Sequence, residues 1–332
     1  MCTINDLPNE VLLLIFERLL DLPPSFINPP SRVTEVCRRW HAEASSLPHL
    51  RQTIPLLTVN RKYGLKSLRR TNGPISFAVA KLNRSGMESL TFASLLAQVA
   101  QWRHVELLDV DRHIIGQPLS SLTINKLANL TKLILRIETK NDDYVGLHYG
   151  FEHAPHLEHV ELECWAPVVI KLPHRQLKTY IERSDTSINV TQILHPESQI
   201  ESFSYRARAL IPIYTSFSPE HPIPHLHTLD LDINPSALSE FLYVLSFPAL
   251  THLRIAGVQP EVLRDMIDFV VRSRCNLTTL SLPSSNKFLE LDRLLQVCPH
   301  LQRLEVCTAY CHSLLHPPSP SFLSELRELI IH

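Results

Sequence analysis

The chain has 332 residues, of which 44% are hydrophobic and 20% are charged, so it is long enough to bury a large core and has the composition of an ordinary globular protein. Its formal net charge of -1 excludes a global electric field that would draw it to nucleic acid or to a membrane surface. The seven cysteines are an odd number and are scattered, which favours a reducing compartment and predicts a cytoplasmic and/or nuclear location.

The first apolar run of the chain predicts a helix that a single neighbour cannot cover. Asp6 can cap this helix, and Pro8 fits its first turn because no backbone N–H is needed there, so we expect a start near Leu7. Residues 11–16 are all apolar, which makes the helix apolar around far more than one face. Such surplus apolar surface predicts a binding partner.

Neither apolar stretch of the chain has the features of a membrane segment. No basic region precedes the run at 11–16, and Glu17 and Arg18 interrupt it, so it does not fit a signal peptide. Residues 306–324 are uncharged, but three prolines and several serines make them unsuitable as a membrane span. We therefore expect no association with a membrane.

A second helix is predicted after the proline-rich loop at residues 22–30, with Ser31 as its cap. Its apolar residues recur at i, i+3, i+4 and i+7, namely Val33, Val36, Cys37 and Trp40. With a short third segment at 44–50, the two helices form a unit of about 45 residues, which rarely holds a sufficient core alone.

These helices carry a family resemblance. LPNEVLLLIF at 7–16 and VCRRW at 36–40 resemble the F-box pattern LPxEhhxxIF and VCrrW, especially as found in large fungal families. The resemblance covers residues 7–50, about one seventh of the chain, and implies binding to the Skp adaptor of a Skp-cullin-F-box ubiquitin ligase. Carried over by position, the residues at or just beneath the adaptor surface would be Leu7, Pro8, Val11, Ile15, Leu19, Val36, Cys37 and Trp40. The alternative is an amphipathic helical cap that only seals the domain behind it.

From residue 105 onward the chain repeats the pattern apolar-x-x-apolar-x-apolar about every 25 residues, within the range of about 20 to 29 for leucine-rich repeats. The leading residues are Val105, Leu130, Leu157, Leu177, Ile200, Leu226, Leu250, Leu277, Leu301 and Leu326. Helical stretches are expected between strands at 235–245, 260–272 and 288–297, and one before the repeats at 87–102. In the second of these, a core-facing stripe is formed by Val262, Met266, Phe269 and Val270. Alternation of Ile75, Phe77 and Val79 predicts a further strand.

The repeats resemble the irregular leucine-rich repeats of F-box proteins, in which an asparagine follows the leading residue by eight positions, as Asn234 does here. The predicted fold class is α/β: a small N-terminal helical F-box at 4–52, a linking segment with a first strand and helix at 53–102, and a right-handed leucine-rich-repeat solenoid of about ten repeats at 103–332. The solenoid would have a curved parallel sheet with helices on its convex side.

The concave side of such a sheet is the predicted target-binding surface. The second, fourth and sixth residues after each leading residue should point to it, because the third and fifth fill the core. This rule selects Asp109, Asp111, Lys132, Arg136, His159, Glu161, Glu163, Arg183, Arg206, Asp230, Asp232, His252, Arg254, Arg303, Glu305 and Glu328. The mixed charge favours a protein target over nucleic acid, whose grooves are mostly basic.

Catalytic and metal chemistry have little support in the sequence. Cys and His residues cluster near the C-terminus, but without the tight pairs typical of zinc sites: Cys298, His300, Cys307, Cys311, His312 and His316. No GxSxG, HExxH or phosphate-binding glycine loop occurs. We therefore predict no metal, no cofactor and no enzymatic activity of its own. A third hypothesis is a Cys/His metalloenzyme or other hydrolase.

The sequence thus predicts a substrate-recognition subunit of a Skp-cullin-F-box ubiquitin ligase. Its partners would be the Skp adaptor, through it a cullin ligase, and an unidentified protein target. The alternative is a non-catalytic leucine-rich-repeat scaffold whose N-terminal helices only cap the solenoid. Exposed apolar side chains on the first helix would favour the receptor, and complete burial of that helix would favour the scaffold.

Overall fold

The computed structural model describes residues 7–20, 37–46, 53–56, 74–80, 92–111, 126–138, 147–164, 168–184, 189–207, 222–283, 291–307 and 324–332. The chain divides into two compact units. Unit 1 comprises Met1–Lys140 with Tyr149–Leu157, and unit 2 comprises Asn141–His148 with Glu158–His332. The predicted boundaries at residues 52 and 102 stay predictions, although unit 1 also includes the first strands assigned to the repeats.

The first described helices of unit 1 are α1 (Asn9–Leu20) and α2 (Arg38–Ser46). The first backbone hydrogen bonds of α1 run from Val11 and Leu12 to the carbonyl of Pro8, so the helix begins two residues later than predicted. The helix that carries Trp40 begins at Arg38 rather than near Ser31, and at its N-terminus the Cys37 Sγ accepts the backbone N–H of Trp40 at 3.5 Å. Residues 31–36 lie outside the described residues.

The described part of unit 1 also contains four parallel strands: β1 (Thr53–Leu56), β2 (Ile75–Ala80), β3 (Trp102–Asp111) and β4 (Lys132–Glu138). The predicted strand at 75–79 is therefore confirmed. The predicted helix at 87–102 is helical at residues 92–96 and ends in a 3-10 turn at Val99–Gln101. Its predicted end was wrong, since Trp102 is the first residue of β3 and donates its indole N–H to the Leu95 carbonyl at 3.1 Å.

The repeat frame of β3 also differs from the prediction. His104 pairs with Lys132, so Trp102, and not Val105, corresponds to the leading residue Leu130. Further along, two residues of β3 lie opposite one residue of β4. Asp109, one of these two, has a left-handed backbone with φ of 52°, which is typical of a β-bulge.

Unit 2 contains eight parallel-paired strands among its described residues: β6 (His159–Cys164), β8 (Thr179–Ser184), β9 (Ser202–Arg206), β10 (Thr228–Asp232), β11 (His252–Ile255), β12 (Thr279–Leu282), β13 (Arg303–Val306) and β14 (Glu328–Ile331). Two short strands, β5 (Leu147–Gly150) and β7 (Val168–Lys171), lie outside this series.

One backbone contact recurs from repeat to repeat in unit 2. The residue that follows each leading residue donates its backbone N–H to the carbonyl of the equivalent residue in the preceding repeat. Lys178 donates in this way to Glu158 at 2.9 Å, and Thr251 donates to His227 at 3.0 Å. Equivalent bonds are made by Glu201, His227, Thr278, Gln302 and Arg327. The predicted leading residues from Leu157 to Leu326 are therefore in the correct frame.

Four helices connect strands in the part of unit 2 that the structure describes: α3 (Val190–Ile193), α4 (Pro235–Val244), α5 (Pro260–Ser273) and α6 (Leu291–Gln296). The predicted helices at 235–245 and 260–272 are confirmed. Asn234, which was read as a repeat asparagine, caps α4 by accepting the N–H of Ala237 at 2.9 Å. The predicted stripe on α5 is buried, with 3% exposure or less at Val262, Met266, Phe269 and Val270.

A row of aromatic rings forms the core of unit 2. Phe203 of β9 stacks on Tyr180 of β8 at 5.8 Å and on Phe241 of α4 at 6.4 Å between ring centroids. Phe247 then contacts Phe241 at 6.4 Å and Phe269 of α5 at 5.8 Å. Each ring touches the ring of an adjacent element, so the core links successive repeats.

The α/β fold class with largely parallel sheets is confirmed. No helix in the described portion of the chain combines the length and apolar character that crossing a membrane requires.

Candidate functional site

An apolar face of α1 is the first candidate surface. Val11, Leu14 and Ile15 are spaced at i, i+3 and i+4, and their exposed fractions are 37%, 60% and 36%. Pro8, one turn earlier, is also exposed. We call Pro8, Val11, Leu14 and Ile15 the α1 face. Exposed apolar side chains that adjoin in this way mark contact sites for other proteins more often than scattered ones do.

The opposite side of α1 is buried and holds the two sequence motifs together. Leu12 and Phe16 have no exposed surface, and the Phe16 ring meets the edge of Trp40 at 5.2 Å. Trp40 is 8% exposed. Because Phe16 belongs to the first motif and Trp40 to the second, their contact fixes α2 against α1.

Polar contacts add to this packing at the start of α1. The Arg39 guanidinium donates to the Leu7 carbonyl at 2.5 Å and to the Asn9 side-chain oxygen. The Asn9 amide donates to Glu43 at 2.8 Å. Arg39 and Glu43 of α2 therefore hold the N-terminus of α1, which presents the α1 face from a fixed helix pair.

The predicted adaptor-binding residues divide into three groups. Pro8, Val11 and Ile15 are exposed on the α1 face, whereas Leu7 and Cys37 are half-buried and Trp40 is buried beneath. The Leu19 side chain and Val36 lie outside the described residues. The prediction missed Leu14, the most exposed of these apolar side chains, although the unbroken apolar run at 11–16 contained the signal.

A charged face of unit 2 is the second candidate surface. Along β6 the residues alternate between half-buried and buried, and β8 and β10 show the same alternation. The buried positions face the aromatic core, where Phe203 contacts α4. The alternate positions therefore lie on the opposite side of the sheet, which we call the open face.

Charges on the open face pair across neighbouring strands. The parallel register places Arg183 opposite Glu163, Arg206 opposite Asp232, Arg254 opposite Asp230 and Arg303 opposite Glu328. The corresponding N–O distances are 3.4, 2.7, 2.8 and 3.1 Å. Arg183 also reaches Glu161 at 3.3 Å, and His332 reaches Glu305 at 2.8 Å. Such half-exposed pairs are worth about 0–1 kcal/mol each, so their effect is mainly to alternate the sign of charge across the face.

The predicted target-binding residues of unit 2 all lie on this open face: His159, Glu161, Arg183, Arg206, Asp230, Asp232, His252, Arg254, Arg303 and Glu305. Their placement follows the predicted alternation. A partner for this face must complement alternating acidic and basic side chains rather than charges of a single sign.

In unit 1 the prediction of the same face needs correction. Asp109 lies in the β-bulge of β3, and the Asp111 side chain lies outside the described residues. Lys132 and Arg136 of β4 are half-buried. The β3 residues in register with Lys132 and its neighbours are His104 and Glu106, which the prediction missed because its frame began at Val105.

This face of unit 1 is closed to solvent in its centre. Ala78 and Glu106 have no exposed surface, and Ile134 and His104 are 6% and 9% exposed. His104 lies 3.3 Å from Glu106, and burial lowers the pKa of His104, which favours its neutral form. The middle of β2–β4 is therefore not exposed to solvent on this side, and it cannot form part of the predicted target-binding surface.

A buried carboxyl lies in the core of unit 2, at a position that the repeat frame assigns to the core. Glu182 has no exposed surface and accepts hydrogen bonds from Tyr180 and Ser184, each at 2.7 Å, and from Asn189 at 3.3 Å. The Asn189 oxygen in turn accepts the N–H of Ile170 at 3.0 Å. Burial raises the pKa of Glu182 above its ordinary range, although these hydrogen bonds act in the opposite direction.

The Cys/His residues near the C-terminus are not gathered into a metal site among those the structure describes. Cys298 is 2% exposed in the core, and burial raises the pKa of its thiol to about 12. His300 is exposed and contacts Glu325 at 3.0 Å. Cys307 is half-buried and directly follows β13. Cys311, His312 and His316 lie outside the described residues. A thiol held protonated by burial is a poor metal ligand, because the thiolate is the binding form.

Comparison of the chain with models of known protein families gives no match, and comparison with curated proteins gives none either.

Proposed function

We propose that the chain is a substrate receptor of a Skp-cullin-F-box ubiquitin ligase. In this proposal α1 and α2 form an F-box that binds the Skp adaptor, and the repeats form a leucine-rich-repeat solenoid that binds a protein target. The single observation that carries the proposal is the α1 face, an exposed apolar surface on the helix whose sequence resembles an F-box.

The helix pair supports adaptor binding in two further ways. Its two motifs pack on each other through Phe16 and Trp40, as expected if the residues form one module. Its N-terminus is fixed by Arg39 and Asn9, so little conformational freedom is lost when a partner covers the α1 face.

Target binding is proposed for the open face of unit 2. The recurring backbone contact and the parallel register are compatible with a curved α/β solenoid, in which successive strands form one extended surface. The alternating charges would give specificity for a target of complementary pattern, and this supports a protein rather than nucleic acid.

No residue of this chain needs to take part in the chemistry of ubiquitin transfer. A receptor that holds a target beside a ubiquitin-charged enzyme raises the effective concentration of target lysines, and this proximity accelerates transfer. Mutations on the open face are therefore expected to change which target is modified rather than the transfer step.

The alternative function is a repeat scaffold whose N-terminal helices only cap the repeats. A pure cap buries its apolar residues within the chain, whereas Leu14 is 60% exposed and Val11 37% exposed. The exposure of these side chains is the specific observation that favours the receptor.

Replacing Leu14 with aspartate is expected to weaken binding to a purified Skp adaptor about tenfold or more, because a charge would replace an apolar contact at the centre of the α1 face. The measurement is co-purification and titration of the full chain with the adaptor. The matched control is Tyr243→Asp, since Tyr243 is 74% exposed on α4 of unit 2 and should not affect adaptor binding. Unfolding transitions of both variants check that they remain folded.

A folded parent chain that does not bind the adaptor would refute the receptor and favour the scaffold. Equal weakening by both variants would show that the α1 face is not the binding surface.

A further inference from the structure

A cluster of two histidines and one glutamate lies on unit 2, in the segments before β8 and β9. His174 is in the turn before β8, while His195 and Glu197 follow α3 in the segment before β9. The two imidazole rings are 5.5 Å apart between centroids. One potential ligand atom from each of the three residues lies within 4.8 Å of the other two.

Buried Ser198 ties the backbones of the two segments together. Its hydroxyl donates to the His174 carbonyl at 3.3 Å, and its backbone N–H donates to the His195 carbonyl at 2.8 Å. The same hydroxyl accepts the N–H of Ile200 at 3.2 Å, and Ser198 has no exposed surface. The histidines therefore project from backbone segments that these hydrogen bonds hold together.

Two imidazoles and one carboxylate form a donor set that suits divalent transition metals. Ligand atoms around a Zn²⁺ ion lie at about 2.0–2.2 Å from it and hence about 3.4 Å from one another in tetrahedral geometry. His195 and Glu197 are exposed, so their side chains can close the remaining distance. We propose that His174, His195 and Glu197 bind a Zn²⁺-like divalent transition-metal ion, with water in its open coordination positions.

The metal would compete with contacts that the cluster already makes. Arg175 pairs with Glu197 at 2.6 Å, and the Glu197 backbone N–H donates to the His195 Nδ1 at 3.3 Å. Both members of the ion pair are more than half exposed, at 73% and 56%, so water can replace it at little cost. Loss of the Arg175 charge should therefore strengthen metal binding, since the glutamate becomes free and a nearby positive charge disappears.

Isothermal titration of the full chain with Zn²⁺, and separately with Mg²⁺, tests the proposal. We expect one tight Zn²⁺ site and no Mg²⁺ binding there, because imidazole ligands suit zinc and magnesium prefers oxygen. His195→Ala and Glu197→Gln should each weaken that site about tenfold or more. Arg175→Gln should tighten it. His225→Gln is the matched control, because His225 is another exposed histidine in a segment before a strand and should leave the site unchanged.

The proposal is overturned if His195→Ala or Glu197→Gln, each still folded by its unfolding transition, binds Zn²⁺ as the parent does. It is equally overturned if His225→Gln weakens binding as much, since zinc would then be held by exposed histidines in general. Weaker or unchanged binding by Arg175→Gln would contradict the role of Glu197 as a ligand. None of these results depends on adaptor binding.

Discussion

Replacing Phe203 by alanine is expected to lower the free energy of unfolding of the chain by about 3–5 kcal/mol. Phe203 is fully buried and its ring contacts Tyr180, Tyr205 and Phe241. The truncated side chain would leave a cavity between β8, β9 and α4, which packed neighbours fill only in part. Because each repeat is stabilised by its neighbours, the loss should affect the repeats on both sides.

Denaturant unfolding followed by circular dichroism measures this effect. The free energy is obtained from the midpoint of the unfolding transition and from its dependence on denaturant concentration, and both are compared between the variants. Tyr243→Ala is the control: Tyr243 is aromatic but 74% exposed, and its truncation should cost within about 0.5 kcal/mol. A loss below about 1 kcal/mol for Phe203→Ala would contradict the aromatic core described for unit 2.

Glu182→Gln is expected to make the chain more stable than the parent at neutral and alkaline pH and equally stable near pH 4. Burial raises the pKa of Glu182 in the folded chain, so the folded state favours the protonated form. The stabilisation from protonated Glu182 is therefore fully present below the ordinary glutamate pKa. It is lost as the pH rises through the higher pKa that Glu182 has in the folded chain. Between these two values the parent loses up to about 1.4 kcal/mol per pH unit relative to the glutamine variant.

The measurement is the difference in free energy of unfolding between parent and variant at several pH values, which cancels the titration of all other groups. Glutamine keeps a carbonyl that can accept from Ser184 and Asn189 and an amide that can donate to Tyr180. Glu182→Leu removes these bonds and should be less stable than Glu182→Gln at every pH, by about 1–3 kcal/mol. A pH-independent difference between parent and Glu182→Gln would show that Glu182 is not buried as described.

The spacing of apolar residues was sufficient to predict most strands, yet it failed at β3 for an identifiable reason. Trp102, Val105 and Leu107 fit the repeat pattern as well as Val105, Leu108 and Val110 do, so the sequence permits two frames three residues apart. The backbone pairing of His104 with Lys132 selects the first frame. A β-bulge at Asp109 then shifts the pairing by one residue, so that Val110 lies opposite Ile137 and the strand follows neither frame beyond it.

The open face of unit 2 could be predicted because side chains alternate along a strand. The repeat frame also puts Asp230 and Arg254 at the same position, four residues after Leu226 and Leu250, and the two residues lie opposite each other in the structure. The closed face of unit 1 was unpredictable, since Glu106 and His104 are polar residues in positions that a solvated strand would expose.

The histidine cluster illustrates a third limit. His174 and His195 occupy different positions relative to their leading residues, Leu177 and Ile200, so no repeat rule brings them together. Their proximity follows from the shapes of two turns and from the hydrogen bonds of Ser198. By contrast, Phe16 and Trp40 could be placed in one module from their motifs, although the Arg39 and Asn9 contact that positions the helices was not foreseen.

The most direct test of the receptor proposal is carbene footprinting of the unmodified chain with and without a purified Skp adaptor. If the α1 face binds the adaptor, labelling of residues 8–15 should fall in the complex. Leu14 should lose more labelling than Val11 or Ile15, because it is the most exposed of these three side chains in the free chain. Labelling of Tyr243 on α4 should stay unchanged. A complex in which residues 8–15 remain fully labelled, or a folded chain that forms no complex, would contradict the proposal.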